Sequence, residues 1–156
     1  MADVPHLQDY VTTHLTVAAV ATNMLKGLAN RLDADDLRGM IAELRQEQQL
    51  LDGVLSQLDV SHNPVLRGAA VVGERATRIV RDVMMWREDD KRDLSELEAL
   101  LTGVEGKKGM WRLFLSVQED LPVLESLPLQ DLLDQADRQS ALVETHRMAA
   151  GRRMLT

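Results

Sequence analysis

The 156-residue chain contains no cysteine and very few aromatic residues. The lack of cysteine excludes disulfide bonds, thiolate zinc sites, iron–sulfur clusters and cysteine nucleophiles. Aromatic residues make up 3% of the chain, which is too few for a stacking platform that binds single-stranded nucleic acid. The longest apolar run is only Val17–Ala21, and the first residues lack the pattern of a secretion signal. We therefore expect a cytoplasmic protein that does not interact with membranes.

The composition is that of a soluble globular protein, with 45% hydrophobic and 28% charged residues. Its formal net charge is −7, and no long basic stretch is present. Because phosphate neutralisation dominates affinity for nucleic acids, we expect no DNA or RNA partner. The length is close to that of one domain, so residues 1–156 are predicted to form a single helical-bundle domain.

Apolar residues recur at spacings of three and four along most of the chain, which predicts helices, and no strand pattern is visible. Long helices are predicted over residues 6–30, 34–59, 93–119 and 129–155, with a further helical segment over 64–84. The charged run 87–92 is interpreted as an exposed connection.

Four long helices have the dimensions of a four-helix bundle. About thirty residues separate the second long helix from the third, which predicts a helical crossover along the bundle. The third long helix contains Gly103, Gly106 and Gly109, each unfavourable in a helix interior. We predict that it is continuous there, with the bare backbone allowing a neighbour to approach closely.

Polar residues interrupt the apolar stripes at positions where a bundle would bury them. The four that could ligate a metal are His14, Glu47, Glu105 and His146. Lys108 also falls within the stripe of the third long helix. We expect it to neutralise Glu105 or Glu98 if either carboxylate turns inward, so that an ion pair takes the place of a metal.

The helical pattern resembles the ferritin-like superfamily, and residues 96–107 are similar to a segment of uncharacterised bacterial members. Di-iron members take a carboxylate from each of two helices and a Glu-x-x-His pair from each of the others. This chain lacks that pair, because Glu47 is followed three residues later by Leu50 and Glu105 by Lys108. The resemblance implies a ferritin-like all-α bundle without a normal di-iron centre.

These observations favour a non-catalytic bundle that acts through protein–protein contact or self-association, as a homodimer without a cofactor. One alternative is a variant metal-binding or oxidative protein that holds iron, manganese or zinc at His14, Glu47, Glu105 and His146. Another is a bundle that encloses an apolar ligand. Met84–Trp86 either caps the end of the bundle or contacts a partner.

Overall fold

The structure is a computed structural model that describes residues 4–58 and 89–156. This part of the chain forms four long helices and two short 3-10 turns, without a β-strand. The helices are α1 (Val4–Leu32), α2 (Asp35–Gln57), α3 (Asp89–Val117) and α4 (Leu129–Leu155), and the turns Gln118–Asp120 and Pro122–Leu124 join α3 to α4. The prediction of an all-α protein is confirmed. None of the described helices is long and apolar enough to cross a membrane.

A two-residue turn joins α1 to α2 and makes them antiparallel. Asp33 adopts a left-handed conformation with φ of 49°. The Asp33 N–H donates to the Asn30 carbonyl, and the Ala34 N–H donates to the Ala29 carbonyl at 3.0 Å. This Schellman arrangement satisfies carbonyls that the end of α1 would otherwise leave free, and it reverses the chain at once.

Contacts between the helices fix their directions. Arg31, near the end of α1, bonds to Asp93 near the start of α3, so these two helices are antiparallel. His146, in the second half of α4, contacts Asp36 at the start of α2. It follows that α2 and α3 run in the same direction, with Gln57 and Asp89 at opposite ends of the bundle. The crossover predicted for residues 64–84 and the Met84–Trp86 run lie outside the described residues.

The hydrophobic core lies between the four helices and is built mainly from leucine, valine and alanine. Trp111 and Phe114 of α3 are its largest fully buried side chains. Their rings meet edge to face at 5.9 Å, and Tyr10 of α1 approaches Phe114 in the same way at 6.1 Å. These aromatic contacts fasten the first part of α1 to the last part of α3.

Helix α3 differs from its prediction in two respects. It begins at Asp89 rather than Asp93, so the described part of the charged run 87–92 is helical and not a loop. The helix is continuous through its glycines, as predicted. Among the described residues, a Cβ built at Gly103, Gly106 or Gly109 would meet no atom within 4 Å, so the close neighbour that was expected there is not found in this part of the chain.

Candidate functional site

A charged pair lies inside the bundle, where three helices meet. Glu47 of α2 is 3% exposed, and its Oε2 lies 2.7 Å from the Nζ of Lys107 on α3. Its Oε1 accepts hydrogen bonds from the amides of Gln135 and Gln139 on α4, at 2.7 and 3.1 Å. Because a buried charge is costly unless it is paired and hydrogen-bonded, this full set of partners explains how Glu47 is accommodated.

Gln139 connects Lys107 to the two carboxylates of α2, Glu47 and Glu43. Its side-chain nitrogen donates to Glu47 and, at 2.8 Å, to Glu43, while its oxygen accepts a hydrogen bond from Lys107. The side chain is 2% exposed, so both ends of the amide are used within the protein. Gln139 thus holds the lysine and the two carboxylates at fixed positions.

The ammonium of Lys107 lies in an environment that disfavours charge. Burial lowers the pKa of Lys107 from its ordinary value, and the nearby carboxylates of Glu47 and Glu43 oppose that shift. Desolvation is the larger effect. The proton on Lys107 is therefore held less firmly than on a lysine in water.

A cavity of about 50 Å³ lies beside this pair, between α1, α2 and α3. Most of its wall is apolar, including Leu44, Leu51 and Val104. Its polar lining residues are His14, Glu47, Gln48 and Lys107, and the fully buried Trp111 lies behind the same wall. Val17, which is 42% exposed, also contributes to the wall, so the cavity reaches towards the surface of α1.

Three of the cavity's polar groups differ in how they are satisfied. The Gln48 amide donates to the Thr22 hydroxyl at 2.8 Å. His14 packs against the ring of Tyr10 at 4.7 Å, and burial lowers its pKa, which favours the neutral imidazole. The Nε1–H of Trp111 is buried and has no hydrogen-bond partner among the described residues. Among the described residues, Gln48 is therefore the one of the three with a side-chain hydrogen bond.

The structure brings together two of the four predicted metal ligands. His14 and Glu47 line the same cavity. Glu105 instead has a half-exposed side chain that accepts hydrogen bonds from Ser140 and Lys108, and these bonds lower its pKa. His146 lies elsewhere, with its Nε2 3.0 Å from a carboxylate oxygen of Asp36. The four residues do not meet at one point.

In the described part of the chain, no three His, Asp or Glu side chains are placed to share a metal ion. The residues that surround Glu47 are a lysine and two glutamines, and an ammonium is not a metal ligand. A centre of iron, manganese or zinc at His14, Glu47, Glu105 and His146 stays a prediction.

The sequence pattern predicts Lys108 as the lysine of an internal ion pair. In the structure that lysine is Lys107. Lys108 does contact Glu105, at 3.3 Å, and also Asp137, at 2.7 Å, but both carboxylates are more than half exposed. Adjacent helical residues point about 100° apart. If the buried stripe is placed one residue too far along the sequence, Lys108 is therefore predicted to face the interior instead of Lys107.

Gln139 was missed although the sequence carried a signal for it. It lies between Ala136 and Val143 at the spacing of the buried stripe of α4. The same pattern, a polar residue among apolar stripe positions, had singled out His14. Lys107 had no such signal, because its neighbour Lys108 fitted the assumed stripe better.

A second buried charge cluster joins the end of α1 to the start of α3. Asp93 and Glu96 are 5% and 4% exposed. Arg31 bonds to both carboxylates, with its Nε 2.9 Å from Asp93, and the Nε of Arg92 donates to Glu96 at 2.9 Å. Residue 93 is where the sequence predicts that the third long helix begins. In the structure Asp93 lies within α3 and pairs with α1.

The described residues define an all-helical arrangement of four long helices, with a Lys–Glu pair in its interior beside a small cavity. Comparisons with family models, with curated proteins and with solved structures find no match to this chain.

Proposed function

We propose that this chain is a cytoplasmic, non-catalytic bundle that acts by protein–protein contact, in the first place by pairing with a second copy of itself through the outer side of α1. The observation that carries the proposal is an unusual lack of charge. Residues 10–25 of α1 are sixteen residues without Asp, Glu, Lys or Arg, whereas the longest such stretch in the other described helices is six, at 99–104.

The outward residues of this stretch form a surface that we call the α1 face: Thr13, Thr16, Ala19, Val20 and Asn23. They recur at spacings of three and four, so they lie on one side of the helix. Ala19 and Asn23 are exposed. The hydroxyls of Thr13 and Thr16 donate to the carbonyls of Asp9 and Thr12, at 2.8 and 2.9 Å. Their methyl groups are then available for contact without the loss of a hydrogen bond to water.

The net charge restricts which surface of the chain a second copy can use. Two chains that each carry −7 repel one another wherever acidic surfaces approach. An uncharged helix face is where two copies can come together without burying like charges. The small side chains also allow two α1 helices to approach closely.

The buried charges support the non-catalytic part of the proposal. In the described ranges, the buried carboxylates of Glu47, Asp93 and Glu96 are each bonded to a basic side chain of the same chain. A general acid or base has to reach a substrate proton. These three are used to hold helices together.

We further propose that the bundle is ferritin-like. Support comes from α2 and α3, which run in the same direction, as in ferritin-like folds with one long crossover. In a simple up-down bundle these two helices would be antiparallel.

The experiment is a measurement of mass by sedimentation equilibrium over a range of concentrations. We expect the wild-type protein to dimerise, and Ala19→Arg to weaken dimerisation by about tenfold or more, since it places an unpaired charge in the interface. The matched control is Ala141→Arg, which adds the same charge at an exposed alanine on α4. A wild-type protein that stays monomeric, or equal weakening by both variants, would contradict the proposal.

Metal analysis tests the alternative function. Protein purified without a chelator should contain no stoichiometric iron, manganese or zinc. A stoichiometric metal that is lost in His14→Ala would overturn the non-catalytic proposal and favour the variant metal-binding protein.

A further inference from the structure

The ion pair of Lys107 and Glu47 forms part of the cavity wall, since both residues line the cavity. The Nζ of Lys107 lies 2.7 Å from the Oε2 of Glu47 and donates to the side-chain oxygen of Gln139. An ammonium has three N–H groups, and in residues 4–58 and 89–156 the third has no acceptor. The Lys107 side chain is 13% exposed, against 4% for that of Glu47. The lysine is therefore the more accessible member of the pair.

The surroundings of Lys107 favour the neutral amine, which is the form of a lysine that reacts with a carbonyl group. Burial lowers the pKa of Lys107, whereas hydrogen bonds to Asp137 and Glu105 raise the pKa of the neighbouring Lys108. Glu47 is close enough to accept the proton that Lys107 releases. Desolvation of a lysine in an apolar pocket is one way in which proteins activate it for Schiff-base formation.

The cavity determines which carbonyl compound fits beside Lys107. Its volume of about 50 Å³ is several times the roughly 10–15 Å³ that one water requires, so it accommodates about three to five non-hydrogen atoms. The apolar lining, which includes Leu44, Leu51 and Val104, favours a short carbon chain. Burial lowers the pKa of His14, so this residue of the wall offers no counter-charge to an anion. A short, uncharged aliphatic aldehyde meets these requirements.

We propose that the Nζ of Lys107 is a covalent binding site for a short, uncharged aliphatic aldehyde, which it holds as a reversible imine. Lys107 gives one proton to Glu47, its nitrogen bonds to the carbonyl carbon, and a second proton passes from the nitrogen to the carbonyl oxygen. Glu47 then returns its proton to the new hydroxyl, which leaves as water when the carbon–oxygen bond breaks and the nitrogen lone pair completes the C=N bond.

The product of this step keeps the charge balance of the interior. A protonated amine and an aldehyde give a protonated imine and water, so a cation remains beside Glu47 and the buried carboxylate is not left unpaired. One chain binds one aldehyde and releases it unchanged, which is compatible with a non-catalytic protein. The site lies within a single chain, so it does not depend on self-association.

Acetaldehyde with cyanoborohydride is the probe, because the reductant adds a hydride to the imine and fixes it as an ethyl group. The chain has only four lysines, at positions 26, 91, 107 and 108, so peptide mass spectrometry can follow each of them. Lys108 is the matched control, since its side chain is also 13% exposed but does not line the cavity. At neutral pH and limiting acetaldehyde, we expect several-fold more ethyl label on Lys107 than on Lys108.

The size of the aldehyde and two glycines of α3 test the role of the cavity. Benzaldehyde exceeds the cavity and should label Lys108 ahead of Lys107. Gly103 lines the cavity, and a Cβ there would meet no described atom within 4 Å, so Gly103→Leu fills the space. Gly106→Leu places the same side chain at an exposed position of the same helix. We expect acetaldehyde labelling of Lys107 to fall at least about tenfold in Gly103→Leu and to persist in Gly106→Leu, since filling the cavity excludes the aldehyde.

Three results would overturn the inference: equal or greater acetaldehyde labelling of Lys108, unchanged labelling of Lys107 in Gly103→Leu, or a preference for Lys107 that persists with benzaldehyde. The comparison of the two aldehydes uses the wild-type protein, so the test remains decisive if Gly103→Leu does not fold.

Discussion

The removal of Lys107 from its pair with Glu47 is the sharpest test of the interior described here. Lys107→Met keeps most of the length of the side chain and removes the ammonium. Glu47 would keep its bonds to Gln135 and Gln139 but would lose the cation 2.7 Å away, while its side chain stays 4% exposed. The loss of one partner from a buried pair costs about 3–5 kcal/mol, a large part of the roughly 5–15 kcal/mol that stabilises a typical domain.

The assay is urea denaturation at pH 7, with Lys108→Met as the matched control. Among the described residues, Lys108 pairs with two carboxylates that are more than half exposed, so its removal should cost far less stability than the removal of Lys107.

A double variant keeps the test informative if Lys107→Met fails to fold. Glu47→Gln combined with Lys107→Met removes both charges and should recover much of the lost stability, since no unpaired charge remains buried. Equal penalties for Lys107→Met and Lys108→Met would refute the conclusion that Lys107 is the internal partner. So would a double variant that is less stable than Lys107→Met alone.

Three further predictions concern single residues. Gly106→Ala should stabilise the protein by about 0.8–1 kcal/mol in urea denaturation, because alanine is the better helix former and no described atom lies near the new Cβ. A variant that is less stable than the wild type would contradict this prediction. Asp33→Gly should stabilise the protein by about 0.5–1 kcal/mol, because glycine adopts the left-handed conformation without strain. Asp33 also forms an exposed ion pair with Arg38 at 2.8 Å, and a lower urea midpoint in the variant would contradict the prediction by showing that this pair outweighs the strain. The pKa of His14 is lowered in the folded state, so the unfolded state takes up a proton first as the pH falls. The free energy of unfolding should therefore decrease as the pH falls through about 6.5 and below. His14→Gln should reduce this loss of stability between pH 7.5 and 5, and an unchanged pH profile in the variant would contradict the prediction.

The sequence predicts the helices better than the positions of their side chains. The predicted bounds 129–155 coincide with α4, and those of α1 and α2 differ from the structure by at most two residues at each end. These helices have a single clear apolar stripe with turn residues at their ends. The start of α3 was misplaced because a charged run looks like a loop, whereas Asp89 and Asp90 in a first turn favour the helix dipole.

The stripe of α3 explains the errors at the candidate site. Leucines occur on several sides of this helix, so the apolar pattern alone does not show which side is buried, and the structure buries Phe114 while Leu115 is exposed. An interpretation that is rotated by one residue places Lys108 inward in place of Lys107. The sequence pattern places Glu47 on the buried side of its helix, and the structure buries it there. Its partners on α3 and α4, however, are 60 or more residues away in sequence. No local pattern contains such a pairing.

The helices form two hairpins, α1 with α2 and α3 with α4, and the buried charges of Glu47, Asp93 and Glu96 are bonded across the boundary between them. An interface of leucine and alanine alone would tolerate a slide of one hairpin along the other by a helical turn, about 5.4 Å. The same slide would separate Glu47 and Asp93 from their cations and leave both carboxylates buried without a basic partner, while Glu96 would lose Arg31 and keep only Arg92 of its own helix. These polar bonds therefore fix one alignment of the two hairpins. If apolar residues replaced them, we expect that the hairpins could pack in more than one alignment.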